Sequence, residues 1–253
     1  SGAWMNAYRS QEKFDRPVTT IVSNNSNFVK GAPGAPVLIS WDDAETMFHE
    51  FGHAIHGLNS DVNYPTLAGT AVPRDYVEFP SQINEHWLPT HEVLSRFALH
   101  HRTGEPIPQA LVDKLKNAST FRQGFDVTEY LASALIDMKL HLAGGADIDP
   151  DAFEREELAK LGMPSELVMR HRTPQFGHVF ASDGYSAGYY SYLWSETLAL
   201  DVVDAFQRAP GGMYDKDMAR KLHDNVMAVG NAIDPAVGYR QLMGRDVDVS
   251  AYL

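Results

Sequence analysis

Ser40 to Gly57 reads SWDDAETMFHEFGHAIHG, and the rest of the chain takes its meaning from this stretch. Ser40 followed by Asp43 has the spacing of a helix capping box, with a short acid in place of the usual Glu. A helix is therefore expected from Trp41 to about His56, stopping near Gly57. Inside it lies Thr46-Met47-Phe48-His49-Glu50-Phe51-Gly52-His53. His49 and His53 are four residues apart, so they share a helical face with Cβ atoms about 5–6 Å apart. At that spacing two imidazoles can bind one Zn²⁺ at about 2.0–2.1 Å each. Glu50, one position on, flanks such a metal and can reach its water without being a ligand. It is then placed to take a proton from water whose pKa the metal lowers towards about 7. Two histidines at this spacing also occur by chance on ordinary helices. What favours the metal is the capped start, apolar Phe48, Phe51 and Ile55 beside the pair, and a third ligand within reach.

A catalytic zinc needs three protein ligands and one open position. Downstream candidates are Asp61, Asp75, Glu78, Glu85 and His86. Glu78 is the best placed on pattern, at the start of a helix after a loop long enough to fold back. An acid there also has a simpler reason, the stabilisation of a helix N-terminus. Gln82 and Glu85 share its face and could bond the outer nitrogens of the histidines, or equally form a solvated surface.

Working outward, the chain has 253 residues, 33 Asp and Glu against 21 Lys and Arg, a net charge of −12, 11 His and no Cys. The apolar content excludes a disordered chain, and no run of eighteen apolar residues suggests a membrane span. The acidic balance argues against a nucleic-acid partner, since nothing would neutralise phosphates along an extended face. Without cysteine there is no disulfide framework and no thiolate ligand, so a metal must rest on His and carboxylate. Ser1–Tyr8 lacks the pattern of a signal peptide. The compartment expected is the cytoplasm, although a cysteine-free chain suits the periplasm too.

Val18–Ser23 and Val37–Ser40 are β-branched runs between turn-rich segments and read as strands. Residues 59–74 read as loop. Phe79, Ile83 and Trp87 mark a helix from Asp75, with Pro80 tolerated only in a first turn. Further helices are expected around Leu111–Ala118, over Phe125–Leu142 with a stripe of Leu131, Leu135, Met138 and Leu142, over Asp151–Leu161, from about Ala187 to Gln207, and over Asp217–Val229. The sum is a mainly α protein with a small β element near its N-terminus, read as one domain over residues 1–253.

The second unusual segment is Gly184-Tyr185-Ser186-Ala187-Gly188-Tyr189-Tyr190-Ser191-Tyr192. If a helix begins this early, Tyr185, Tyr189 and Tyr192 fall at i, i+4 and i+7 on one face. With His178 upstream, these phenols could donate hydrogen bonds to an oxyanion, and the glycines could let the loop move over a substrate. An aromatic core stripe explains the same spacing equally well.

Taken together, HEFGH at His49–His53, the stretch from Gly69 to Gln82, Asn84-Glu85-His86-Trp87, and Asp183-Gly184-Tyr185 through Trp194 resemble the thimet oligopeptidase family of zinc metallopeptidases. The likeness is nearest to its bacterial peptidyl-dipeptidases, also called dipeptidyl carboxypeptidases, and runs over nearly the whole chain. It implies a zincin-type (gluzincin) region with His49, His53 and Glu78 as ligands of one Zn²⁺ and Glu50 as general base. It implies that His178, Tyr185 and Tyr192 bind substrate carbonyls or stabilise the tetrahedral intermediate, with a related substrate-binding place for Tyr189. The substrates it implies are short unstructured peptides, in a family whose fold is helical, two-lobed and channelled. Family members are much longer, and the other wall of the channel lies in a helical region preceding the point where this chain starts. The resemblance thus makes this chain a C-terminal catalytic portion, completed by that N-terminal region.

Arg74–Pro80 and Asn84–Trp87 look like the dipeptidyl carboxypeptidase version, whereas Tyr189–Glu196 is shared with the endo-acting oligopeptidases. An exopeptidase must hold a free carboxylate, by a cation or a tyrosine; Arg74, Arg170 and Arg172 are the cations nearest the motifs, and pairing with a structural acid explains each of them equally well. Release of C-terminal dipeptides is the activity expected. An endo-acting oligopeptidase, or a lobe that binds zinc and peptide without turnover, is the alternative.

Overall fold

The computed structural model describes residues 2–252. In chain order it contains β1 (Trp4–Arg9), β2 (Ile21–Asn25), α1 (Trp41–Asn59), α2 (Arg74–Val77), α3 (Phe79–Glu85), α4 (His91–Phe97), α5 (Gln109–Ser119), α6 (Gln123–Leu142), α7 (Pro150–Lys160), α8 (Gly177–Phe180), α9 (Ser191–Arg208), α10 (Lys216–Leu222) and α11 (Pro235–Met243). The mainly α expectation holds, and the sheet is one antiparallel pair. The chain divides into two compact units, residues 1–108 with 193–253, and residues 109–192.

In the first unit, α1 starts where its capping box says it should. Asp43 N–H donates to Ser40 Oγ at 3.0 Å, and Ser40 N–H donates to Asp43 Oδ2 at 3.1 Å. It does not stop at Gly57 but runs to Asn59. Gly57 serves close packing instead: a Cβ on Gly69, itself at φ +53°, would lie 2.8 Å from the Gly57 Cα. β1 and β2 pair with Trp4 opposite Asn25 and Ala7 opposite Val22, with an irregularity between Ala7 and Arg9. The expected strand at Val37–Ser40 does not form, and β1 takes its place. β propensity reports a side chain's fit to a pleated surface, and without a partner strand it produces no strand.

The helix expected from Asp75 is interrupted. α2 ends at Val77 and α3 begins at Phe79, with Pro80 in its first turn as predicted. Proline has no N–H to donate back to Tyr76 and crowds its carbonyl, so one helix ends before Glu78 and the next starts after it. Phe79 and Ile83 are fully buried against Leu198, Val202 and Phe206, which recur at every fourth position of α9, and against Leu222, Tyr239 and Leu242. Trp87 closes this core edge-on to Phe206 at 5.5 Å. The helix expected over Asp217–Val229 is α10 followed by a π-helical turn at His223–Met227, where Ala228 N–H reaches back to His223 O at 2.8 Å.

In the second unit, α6 packs Ala132, Ala134 and Ile136 against Met169, Phe176, Val179 and Tyr189. This is not the stripe expected from sequence, since Leu131 is 39% exposed and Leu142 77%. Small residues and a carboxylate, Asp137, occupy the inner face instead. α9 begins at Ser191 rather than Ala187, because Ala187 has φ +53° and breaks helical geometry.

Candidate metal centre and tyrosine cluster

α1 and α3 meet at a glycine. A Cβ on Gly52 would lie 2.6 Å from Ser81 Cα, 2.9 Å from Asn84 Cβ and 2.9 Å from Pro80 O. Asn84 Nδ2 donates to Phe48 O at 2.7 Å and fixes the register. This contact brings Glu78 under the two histidines. Glu78 Oε2 is 3.2 Å from His49 Nε2 and 3.1 Å from His53 Nε2. The imidazole rings stand edge to face, 5.0 Å apart. Among the described residues these three form the group whose donor atoms all lie within 4.8 Å of one another.

The electrostatics match the geometry. Burial opposes the charged form of Glu78, but hydrogen bonds from His49 and His53 outweigh it and hold the carboxyl well below the usual range. Burial likewise opposes a charged His49, yet its bonds to Glu78 and Glu85 push it up to about 10. The two carboxylates thus favour positive charge at the point where three ligand atoms converge, which a bound cation would supply in place of the His49 proton. Two nitrogen donors and one oxygen, with no thiolate, fit a divalent ion of the Zn²⁺ type.

Glu78 is held in turn. Ser81 Oγ, fully buried, donates to Glu78 O at 2.8 Å and lies 3.2 Å from its Oε2. Sequence reasoning missed Ser81, although a Ser three residues after a candidate ligand in a helical first turn was a readable signal. Of the expected supports for the histidines, Glu85 is present, with Oε1 2.6 Å from His49 Nδ1. Gln82 is not the partner of His53, whose buried Nδ1 has no hydrogen-bond partner among the described residues. Of the other ligand candidates, Asp61 forms an ion pair with Lys13, and Asp75 O accepts from Ser195 Oγ at 3.0 Å. His86 is driven towards its neutral form by burial.

Glu50 is 7% exposed. Burial raises its pKa, the nearby histidines oppose the rise, and the Met5 backbone bonds it from β1. Phe51, expected to pack beside the histidines, is instead half exposed. Burial, with Glu85 and Glu45 nearby, pushes Glu196 of α9 up to about 7. His56, also missed, is fully buried and pushed down to about 3, so it stays neutral inside the fold.

The second unit gathers the other expected residues. His178 Nε2 lies 3.1 Å from Tyr192 Oη, and Tyr192 Oη donates to Tyr185 Oη at 3.2 Å. The Tyr185 and Tyr192 rings are parallel at 6.0 Å, and the His178 ring is 4.3 Å from Tyr185. The phenols meet through a turn, not through the helical spacing expected for them, since Asp183–Tyr185 is a 3₁₀ turn. Tyr189 is only 7% exposed and packs in the core, stacked on Tyr130 and edge-on to Phe176, which leaves little of its surface for a substrate. Of the candidate cations, Arg172 is used internally, with Nε 2.6 Å from Glu154 and a second contact to Asp151. Arg170 faces Glu129 at 3.9 Å.

Two imidazoles and a carboxylate thus converge beside a buried glutamate, and the three donors could hold one metal ion between α1 and the start of α3. Peptidase family M3 matches residues 1–253, and the chain belongs to that family. It is 40% identical to the dipeptidyl carboxypeptidase of Escherichia coli (strain K12) over 96% of this chain and 36% of that protein. The Salmonella typhimurium dipeptidyl carboxypeptidase is also 40% identical, over the full chain and 37% of its own length. Oligopeptidase A of E. coli is 32% identical over the full chain and 37% of its length. The chain thus spans a little over a third of the length of each of these three relatives. No helix among the described residues is long and apolar enough to cross a membrane.

Proposed function

We propose that residues 1–253 act as the catalytic region of a zinc-dependent peptidase that releases dipeptides from the C-terminus of short unstructured peptides. The observation that carries this reading is the convergence of His49, His53 and Glu78 beside buried Glu50. Identity of 40% to two dipeptidyl carboxypeptidases, against 32% to oligopeptidase A, favours the exo mode.

His49 Nε2, His53 Nε2 and Glu78 Oε2 would hold the ion. When bound, Zn²⁺ supplies a Lewis acid and lowers the pKa of water towards about 7. Glu50 takes a proton from the attacking water as its oxygen bonds to the carbonyl carbon. It then returns that proton to the leaving amine nitrogen as the C–N bond breaks. Tyr185, Tyr192 and His178 donate hydrogen bonds to substrate carbonyl oxygen, which bears negative charge in the tetrahedral intermediate. Glu85 holds the His49 ring in the tautomer that leaves Nε2 free to ligate.

Glu50→Gln in the full-length peptidase containing this region should leave zinc content unchanged and lower dipeptide release by about 10²–10⁴-fold. Unchanged turnover refutes the mechanism. A parallel assay on a C-terminally amidated peptide separates the modes. Loss of cleavage supports dipeptide release, while retained internal cleavage assigns the chain to the endo-acting side, whose Tyr189–Glu196 pattern it shares. Stoichiometric zinc binding with no hydrolysis of either peptide overturns the enzyme reading in favour of a binding lobe.

A further inference from the structure

Asp137 of α6 is 1% exposed, in a face otherwise made of Ala, Ser and Ile. A carboxylate so deeply buried must be compensated, and its partners share one segment. Oδ1 accepts from Ala187 N–H at 3.0 Å and Oδ2 from Tyr189 N–H at 2.9 Å. His141 Nδ1, one helical turn on, is 2.9 Å from Oδ1. Seven residues earlier on the same helical face, Tyr130 Oη donates to Tyr189 O, and the two rings stack at 5.0 Å. One helix therefore grips Tyr189 by both its N–H and its C=O.

The gripped segment is strained. Ala187 has φ +53°, a left-handed conformation that a residue with a Cβ seldom adopts. Gly188 N–H closes back on Tyr185 O at 2.9 Å, and Ser191 N–H on Gly188 O at 3.1 Å. The turn so formed is what brings Tyr185 and Tyr192, seven residues apart, to 3.2 Å between their hydroxyls. A regular helix through this stretch would start α9 a turn earlier and give the phenols a different geometry.

We propose that Asp137 is a positioning residue: its carboxylate, with the Tyr130 hydroxyl, holds the Ala187–Tyr189 turn that sets the mutual placement of Tyr185 and Tyr192. The catalytic consequence rests on the role assigned above to those phenols, while the anchor itself does not. A substrate carbonyl must meet both donors at once, and a misplacement of about 1 Å can cost roughly 10²-fold in rate.

Asp137→Asn keeps the size but presents one acceptor and an NH₂ to two backbone N–H groups. Amide hydrogen exchange in the 253-residue chain reads the anchor directly. Exchange at Ala187 and Tyr189 should rise by about 100-fold, with α1 and α9 unchanged. Tyr130→Phe, which retains the stacked ring, should give a smaller rise at the same sites and covers the case in which Asp137→Asn does not fold. Unchanged protection at both amides in Tyr130→Phe and in any folded Asp137→Asn overturns the proposal. In the metal-loaded enzyme, Asp137→Asn should lower kcat by about 10–100-fold with little change in KM, and add nothing in a Tyr185→Phe/Tyr192→Phe background. An undiminished further loss in that background overturns positioning and leaves general destabilisation. If Tyr185→Phe and Tyr192→Phe leave turnover unchanged, the role given to the phenols has failed, and exchange alone decides the anchor.

Discussion

Gly52→Ala tests whether the closeness of α1 and α3 sets the metal centre. The added methyl meets Ser81 Cα at 2.6 Å, and Pro80 O and Asn84 Cβ at 2.9 Å each. Two of these are backbone atoms and the third is tied by Asn84 to Phe48 O, so none is a flexible end that can swing aside. Ordinary contact begins at 3.4 Å, so α3 must retreat by about 0.8 Å at Ser81, the difference between 3.4 and 2.6 Å. Ser81 carries Glu78 with it through its hydroxyl, whereas metal–ligand distances tolerate only about ±0.2 Å. Alanine gains up to about 1 kcal/mol of helix propensity over glycine, against a typical overpacking cost of about 1–3 kcal/mol. With the full propensity gain, the net effect on the metal-free fold is a loss of about 0–2 kcal/mol. Zinc affinity should fall by about tenfold or more, because the ligand set is displaced even if the fold absorbs the methyl. Urea unfolding of the metal-free protein and competition for Zn²⁺ against a chromophoric chelator measure the two quantities. Gly124→Ala, at a helical glycine with nothing within 4 Å, is the control and should cost neither. A Gly52→Ala protein as stable as its parent and with the same zinc affinity would refute the reasoning.

Three further outcomes follow from the charges around the site. Glu85→Ala removes the acceptor 2.6 Å from His49 Nδ1 and should weaken zinc binding by about 10–100-fold; the same chelator competition checks it, and an unchanged affinity counts against any orienting role. Glu196 ionises near pH 7 when folded against 4.5 ordinarily, so the folded state keeps a proton that the unfolded chain releases in that window. Stability should therefore fall as pH rises from about 4.5 to 7, by about 3.5 kcal/mol at about 1.4 per unit. Glu196→Gln should flatten the fall in urea unfolding of the metal-free protein between pH 5 and 8, and an identical slope would show that this carboxyl is not the source. Glu50 must be ionised to accept a proton, and burial raises its pKa. In the metal-free protein the Glu50 carboxyl should accordingly titrate above the ordinary glutamate range by NMR, and a midpoint at or below it would mean that burial does not govern this group.

The parts legible in sequence were those fixed by neighbours in the chain. Ser40 and Asp43 cap α1 through bonds spanning three residues, and His49 and His53 share a face because any helix makes them do so. Glu78 was one of five candidates by spacing, because what selects it is the contact of Gly52 with Ser81, which joins segments about thirty residues apart. β1 was missed for the same reason, as its partner begins twelve residues after its end. On α6 the leucine stripe pointed to one face and the fold buried another. A helix that presents alanines can approach its neighbours closely, and Asp137 on that face has a specific bonding task.

The residues that periodicity handled worst are the ones that place the chemistry. Glu78 sits where Pro80 interrupts a helix, and the phenols meet across a turn that Ala187 enters at φ +53°. Each irregularity costs backbone hydrogen bonds or strain and persists only where side chains compensate for it. Ser81 does so at the first, Asp137 and Tyr130 at the second. A hydrophobic pattern treats a Ser or Asp on an inward face as an error in the pattern. Yet Ser81 is 0% and Asp137 1% exposed, and a group so buried must bond to something that regular structure leaves unsatisfied. Polar residues falling on an apolar helical face near a candidate ligand or donor are therefore where the next supporting residue of such a site should be sought.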